Sequence, residues 1–128
     1  MDEPRIFHSA DHMQPCDGEE PIRSVVTQSD CATVVAWHVK QGQRIAAHTH
    51  PHGQDTWAVL SGSGEYQIDG LGEVRLIVPG DVAIARRGQV HGVFNPNEAP
   101  LVFVSVVAPA EAGYELFQPG SHAASSPE

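Results

Sequence analysis

The sequence predicts an all-β fold in a single domain, and three observations predict it. Short apolar runs recur between turn signals at a spacing of roughly 8–12 residues, the rhythm of a sandwich, jelly roll or closed barrel. The runs are rich in Val, Ile, Thr and aromatic residues, which suit a pleated, half-buried surface. No segment reads as a convincing helix, a turn near "AEAGYEL" aside.

The elements follow in order. Residues 1–20 are polar, acidic and rich in turn formers, and read as an N-terminal arm with one short strand at "RIF". Residues 21–117 form the barrel domain, and residues 118–128 read as a flexible C-terminal tail. Within the domain, strands are expected at "TVVAWHVK" (33–40), "RIAAHTH" (44–50), "DTWAVL" (55–60) and "EYQID" (65–69). After the hairpin signal "GLG" come "EVRLIV" (73–78), "VAIA" (82–85), "VHGVFN" (90–95) and "LVFVSVVA" (101–108). Gly62, Gly64, Gly80 and Gly88 fall between strands, where the chain turns sharply or takes positive φ.

Composition narrows the function. Of 128 residues, 41% are hydrophobic, enough for a core. Seven Lys and Arg stand against 16 Asp and Glu, a formal charge of −9. That balance argues against a nucleic-acid backbone or an anionic membrane surface as partner. No run approaches the roughly 18 apolar residues of a membrane helix. The N-terminus lacks a signal-peptide pattern, so a cytoplasmic protein is expected. Cys16 and Cys31 have no CxxC spacing and are expected to be reduced thiols, with Cys31 a small core residue.

The stretch "HTHPHGQD" carries the chemistry. Side chains two apart on a strand share a face, so His48 and His50 present two imidazoles to one side. Pro51 has no N–H for the ladder and breaks it, so parity no longer directs His52, which reads as a rim residue or proton carrier ahead of a ligand. Gln54 and Asp55 point to opposite faces, so at most one of them joins the imidazoles at a metal. A carboxylate neutralises charge and favours Asp55, with Gln54 the alternative. His91, in "GQVHGVFN", is a lone histidine in an apolar strand. If Asp55 faces inward, Trp57 and Val59 do too; if His91 does, so do Val93 and Asn95.

These residues lie on two motifs that resemble those of the cupin superfamily. Gly42, His48, His50, Asp55 and Gly62 reproduce the intervals of G-x5-H-x-H-x3/4-E-x6-G, with Asp in place of Glu. Gly80, Gly88, His91 and Asn95 reproduce those of G-x5-P-x-G-x2-H-x3-N, with Arg86 in place of proline. The resemblance implies a small conserved RmlC-like barrel: a jelly roll, or double-stranded β-helix, around one divalent metal. It implies His48, His50, Asp55 and His91 as ligands, with Gln54 at the shorter spacing used by some cupins, and a homodimer. Three imidazoles and a carboxylate suit Fe, Mn, Ni, Zn or Cu. Four protein ligands leave positions open on an octahedral ion for substrate or water.

Around that centre, Trp57 is expected as a flat wall, Arg86 and Arg87 as anchors for an acidic group at the barrel mouth, and Asn95 as an orienting or loop-locking residue. Tyr66 and His52 are the candidate proton carriers, and His38 is read as a structural or interface histidine. The open-site pattern favours a metal-dependent enzyme on a small polar organic substrate. Dioxygenase, isomerase, cyclase and lyase activities all occur on the scaffold that the resemblance implies. The alternative is a non-catalytic module that binds or senses a sugar acid or other small metabolite.

Overall fold

The computed structural model describes residues 3–118; the tail expected over 118–128 lies almost entirely outside that range. Two five-stranded antiparallel sheets face each other. The first contains β1 (Ser24–Gln28), β2 (Thr33–Val39), β4 (Gln54–Ser61), β7 (Val82–Ala85) and β9 (Leu101–Ala108), in the order β1-β2-β9-β4-β7. The second contains β3 (Arg44–Thr49), β5 (Gly64–Gln67), β6 (Val74–Ile77), β8 (His91–Phe94) and β10 (Glu115–Leu116), in the order β10-β3-β8-β5-β6. The eight strands expected from residue 33 to residue 108 all form, within two residues of their expected ends.

Two local expectations fail, and one strand forms that was not expected. "RIF" is not a strand; a single 3-10 turn, Ser9–His12, follows it instead. "SVVTQ" is a strand, β1, held to the sheet by pairing with β2 across a bulge near Val25 and Thr27. Cys31 is exposed rather than in the core, because it sits in the loop that turns β1 into β2; both cysteines are free. The turn expected near "AEAGYEL" forms at its start, and the chain then adds the two-residue strand β10 to the edge of β3.

The core lies between the sheets. Alternation delivers Val39, Trp57, Val59, Leu101 and Phe103 from the first sheet and Tyr66, Ile77 and Val93 from the second. Trp57 stacks on Phe103 at 4.1 Å between ring centroids, and Tyr66 meets the edge of Trp57 at 5.1 Å. Such contacts add to area burial by about 1 kcal/mol each. Gly62 shows why glycine is needed between β4 and β5: its φ is +71°, and a Cβ there would lie 2.0 Å from the Pro100 carbonyl oxygen. Gly64 does not share the positive φ; its place is fixed by the Leu101 side chain, 2.8 Å from where a Cβ would sit. Among the described residues no helix is long and apolar enough to cross a membrane.

Candidate metal centre

The two sheets supply the site from opposite sides. His48 on β3 and His91 on β8 are direct partners in the second sheet, which brings their rings to 4.2 Å. His50 lies two residues beyond His48 and keeps its face, with a ring separation of 5.0 Å. Asp55 comes from β4 in the opposite sheet. Its Oδ2 lies 2.9 Å from His91 Nε2 and 3.3 Å from His50 Nε2. Donor atoms of all four residues lie within 4.8 Å of one another. His48, Asp55 and His91 are buried, and the His50 side chain is 11% exposed.

The backbone sets the tautomers. Nδ1 of His48 lies 2.7 Å from the Ala46 carbonyl, Nδ1 of His50 lies 2.7 Å from that of Gly113, and Nδ1 of His91 lies 3.2 Å from that of Gln89. A carbonyl accepts only, so each Nδ1 carries the proton and donates it. Each Nε2 then presents a lone pair to the centre. That arrangement leaves Asp55 facing lone pairs unless a proton or a cation lies between them. His50 Nε2 and Asp55 Oδ1 are buried with no hydrogen-bond partner. One divalent cation would satisfy the whole donor set, so the residues present fit the metal that the motifs imply.

Charge follows geometry. Burial, then the neighbouring His91, pulls His48 down to about 4, so it is neutral near pH 7. Burial also pulls on His50, but the Asp55 carboxylate and the Gly113 carbonyl outweigh it and raise His50 above the ordinary histidine value. Burial alone would push Asp55 up. Contacts with His50 and His91 instead hold it far below the usual carboxylate range. Where burial and the ring contacts oppose each other, close opposite charge in a water-poor site decides the sign.

Three of the four donor residues, His48, His50 and Asp55, line a cavity of about 580 Å³. Trp37, Trp57, Val35 and Ile45 give it apolar walls, and Glu20, Arg23 and Tyr114 line it as well. The Tyr114 ring stacks on His48 at 4.9 Å while remaining 58% exposed. The segment carrying it is pinned: His52 N–H donates to the Ala112 carbonyl, and Gly113 at φ +81° turns its own carbonyl onto His50.

The remaining candidates fall in different places. Trp57 lines the cavity as expected. Gln54 is exposed on the opposite face and donates to Thr56 Oγ1, so the carboxylate and not the amide joins the cluster. His52 is exposed in the turn after β3, outside the donor cluster. Tyr66 is buried beneath the site, 6.4 Å from the His91 ring. Its hydroxyl has no partner, and burial raises its ionisation well above the ordinary phenol value. Asn95 is not a cavity residue: it donates to the Val39 and Ala99 carbonyls and accepts from Asn97 N–H, locking the loop after β8. Arg86 and Arg87 are exposed and do not line the cavity. Their turn serves through its backbone instead, since Gly88 N–H donates to the His50 carbonyl and the Gln89 carbonyl meets His91.

Glu20, Arg23, Trp37 and Tyr114 were not expected at the site. Alternation along β2 from Val35 and Val39 carries a signal for Trp37. Tyr114 lies in a segment placed by the long-range pairing of β10 with β3, and Glu20 and Arg23 lie in the stretch before β1, which carries no alternation to direct them.

Comparison with known proteins agrees with this architecture. A crystal structure of a conserved protein with a double-stranded β-helix domain from Klebsiella pneumoniae superposes with a TM-score of 0.86 at 51% identity, covering 91% of this chain and 99% of that one. An RmlC-like cupin protein from Desulfovibrio desulfuricans superposes at 0.72 with 25% identity, covering 84% and 99%. In sequence, the pectin degradation protein KdgF of Dickeya dadantii is 29% identical over 97 residues, 76% of this chain and 86% of that protein. The family model for the cupin domain matches residues 35–107, which hold both motifs and all four clustered donors, and the chain belongs to the cupin family.

Proposed function

We propose that this cupin is a metal-dependent enzyme acting on a small polar organic substrate, with one divalent ion held by His48, His50, Asp55 and His91. The observation that carries the reading is that His48, His50 and Asp55 of the donor cluster line a cavity of about 580 Å³, large enough for a small metabolite. A divalent ion bound there would act as a Lewis acid on substrate oxygens. The chain's own contribution is orientation and exclusion of water. Three backbone carbonyls aim the imidazoles, Asp55 supplies the negative charge, and Trp37, Trp57 and Tyr114 wall the cavity. The pectin degradation relative supports a carbohydrate-derived substrate, since pectin fragments are small, oxygen-rich molecules.

The test is elemental analysis of protein purified without added metal or an affinity tag, beside His91→Ala. The expected result is near-stoichiometric metal in the parent and a large loss in the variant. Equal metal content in the two would reject the site. Assays on small acids and sugars with and without O2 then separate oxygenase from isomerase, cyclase or lyase chemistry. Tight binding without any product in metal-replete protein would favour a sensing module instead.

The protein is further proposed to be a homodimer built on the outer face of the first sheet. Leu60, Val82 and Ile84 are exposed there, and Val102, Val104, Val106 and His38 are half-buried. A solution mass near 13.7 kDa at micromolar concentration would reject this, since that is the mass of one chain.

A further inference from the structure

We propose that Arg23 is the carboxylate anchor of the cavity, so that the ligand is a small organic acid whose other oxygens face the His48–His50–Asp55–His91 centre. The inference rests on the reading of that cavity as a small-molecule site, and it adds the ligand's charge and the residue that selects it.

Arg23 immediately precedes β1 and lines the same cavity as His50 and Asp55. The chain carries seven basic residues. Arg23 alone among them lines this cavity among the described residues. The others are committed elsewhere or face outward. Lys40 pairs with Asp17, Arg75 with Glu73, and Arg44 lies over the Phe94 ring. Arg5 lies against the outer face of the sheet, and Arg86 and Arg87 are exposed outside the cavity.

Arg23 makes no ion pair, hydrogen bond or ring stack with any described residue, although acidic residues outnumber basic ones by 16 to 7. Even Glu20, on the same cavity wall, does not pair with it. A guanidinium is a planar fork of five donors with no means of losing its charge, and its matched partner is a carboxylate. Arg23 is exposed while lining a cavity with apolar walls, so its fork is reachable from solvent and left for the ligand. Glu20 then offers an acceptor for a hydroxyl but repels a second negative group nearby. Trp37 and Trp57 provide a flat surface for the carbon skeleton between the two polar ends. The chemistry points to a monoanionic acid with a hydroxyl- or carbonyl-bearing body.

The test compares acids with neutral counterparts of similar shape on metal-loaded protein by isothermal calorimetry. The pairs are galacturonate and galactose, pyruvate and pyruvamide, and benzoate and benzamide. The proteins are the parent, Arg23→Gln and Arg23→Lys, with His91→Ala as the metal-depleted comparison, each checked for metal content and thermal unfolding. At least one acid is expected to bind the parent roughly 10- to 100-fold more tightly than its counterpart, the range of a charge-assisted pair. Arg23→Gln should erase that preference with metal content unchanged, and Arg23→Lys should retain part of it, as a point charge without the fork. Failure of every acid to bind, absence of preference in the parent, or a preference that survives Arg23→Gln overturns the proposal. Metal-dependent binding without acid preference rejects Arg23 while leaving the metal-site reading intact. A preference that depends on Arg23 but persists in His91→Ala sustains the anchor and rejects the metal's part in binding.

Discussion

Replacing Asp55 with asparagine tests whether the carboxylate belongs to the ion or merely to the imidazoles. The substitution keeps shape and removes one negative charge from a side chain that is 5% exposed. In the structure that charge lies 3.3 Å from His50 Nε2 and 2.9 Å from His91 Nε2. At 3.3 Å and an effective dielectric constant near 20, a unit charge pair has a gross attraction of about 5 kcal/mol. Desolvation of the buried carboxylate offsets several kcal/mol of this, which leaves a net loss on the order of 2 kcal/mol. Any cation held by the same imidazoles would lose at least that much, or roughly thirtyfold in affinity. Chelator-competition titration with Zn(II) and Mn(II) measures it, with circular dichroism to show that the barrel persists. Asp55→Asn is expected to bind both ions at least thirtyfold more weakly than the parent. An unchanged affinity would refute the reasoning, because the carboxylate would then contribute nothing to holding the ion.

Three further outcomes follow from the same geometry. His48 is held near 4 and His50 is raised, so the competing proton sits on His50, and apparent metal affinity should fall about tenfold per pH unit below the His50 value; calorimetric titrations between about pH 5 and 8 check this. In metal-free protein the sign reverses. The raised His50 contributes stability that is complete below the ordinary histidine value and lost as pH rises through its own, so the metal-free Tm should drop across that window while the metal-loaded Tm does not. Asn95→Ala removes two donated bonds and one accepted bond in a fully buried position, and should cost about 3 kcal/mol in urea unfolding while leaving metal content unchanged. Loss of metal at equal stability would return Asn95 to the site.

What the sequence revealed and what it concealed divide along a physical line. Period-two alternation is local. It therefore placed Trp57, Val59, Val93 and Asn95 on the inner faces once Asp55 and His91 were taken as inward, and it set Gln54 against Asp55. The motif intervals likewise located all four donors, because strand and turn lengths decide which residues meet across the barrel. Neither source fixes the direction of a side chain on a turn. Arg86 and Arg87 lie close in sequence to His91, yet their turn presents backbone to the site and guanidiniums to solvent. Nor does local pattern always reveal a short edge strand: β1 lies inside the expected domain and pairs with the next strand in a hairpin, yet its largely exposed face and bulged register gave no clear alternation, and Arg23 just before it was not singled out.

The same distinction explains why the centre needs the whole barrel and not just the two motifs. The motifs bring the imidazoles together, but their proton positions come from main-chain carbonyls at Ala46, Gln89 and Gly113. Two of those carbonyls lie within two residues of the histidine they orient, so the motif carries them along. The third is 63 residues from His50 along the chain, at a glycine with φ +81° that follows β9. A side chain at Gly113 would strain that backbone and press on Pro51 and His52, the turn that leads away from His50. The segment that delivers this carbonyl also delivers Tyr114 onto His48, so the orientation of one ligand and the covering of another depend on the same backbone turn. The segment after β9 is thus part of the candidate metal centre, although no metal-ligand motif extends to it.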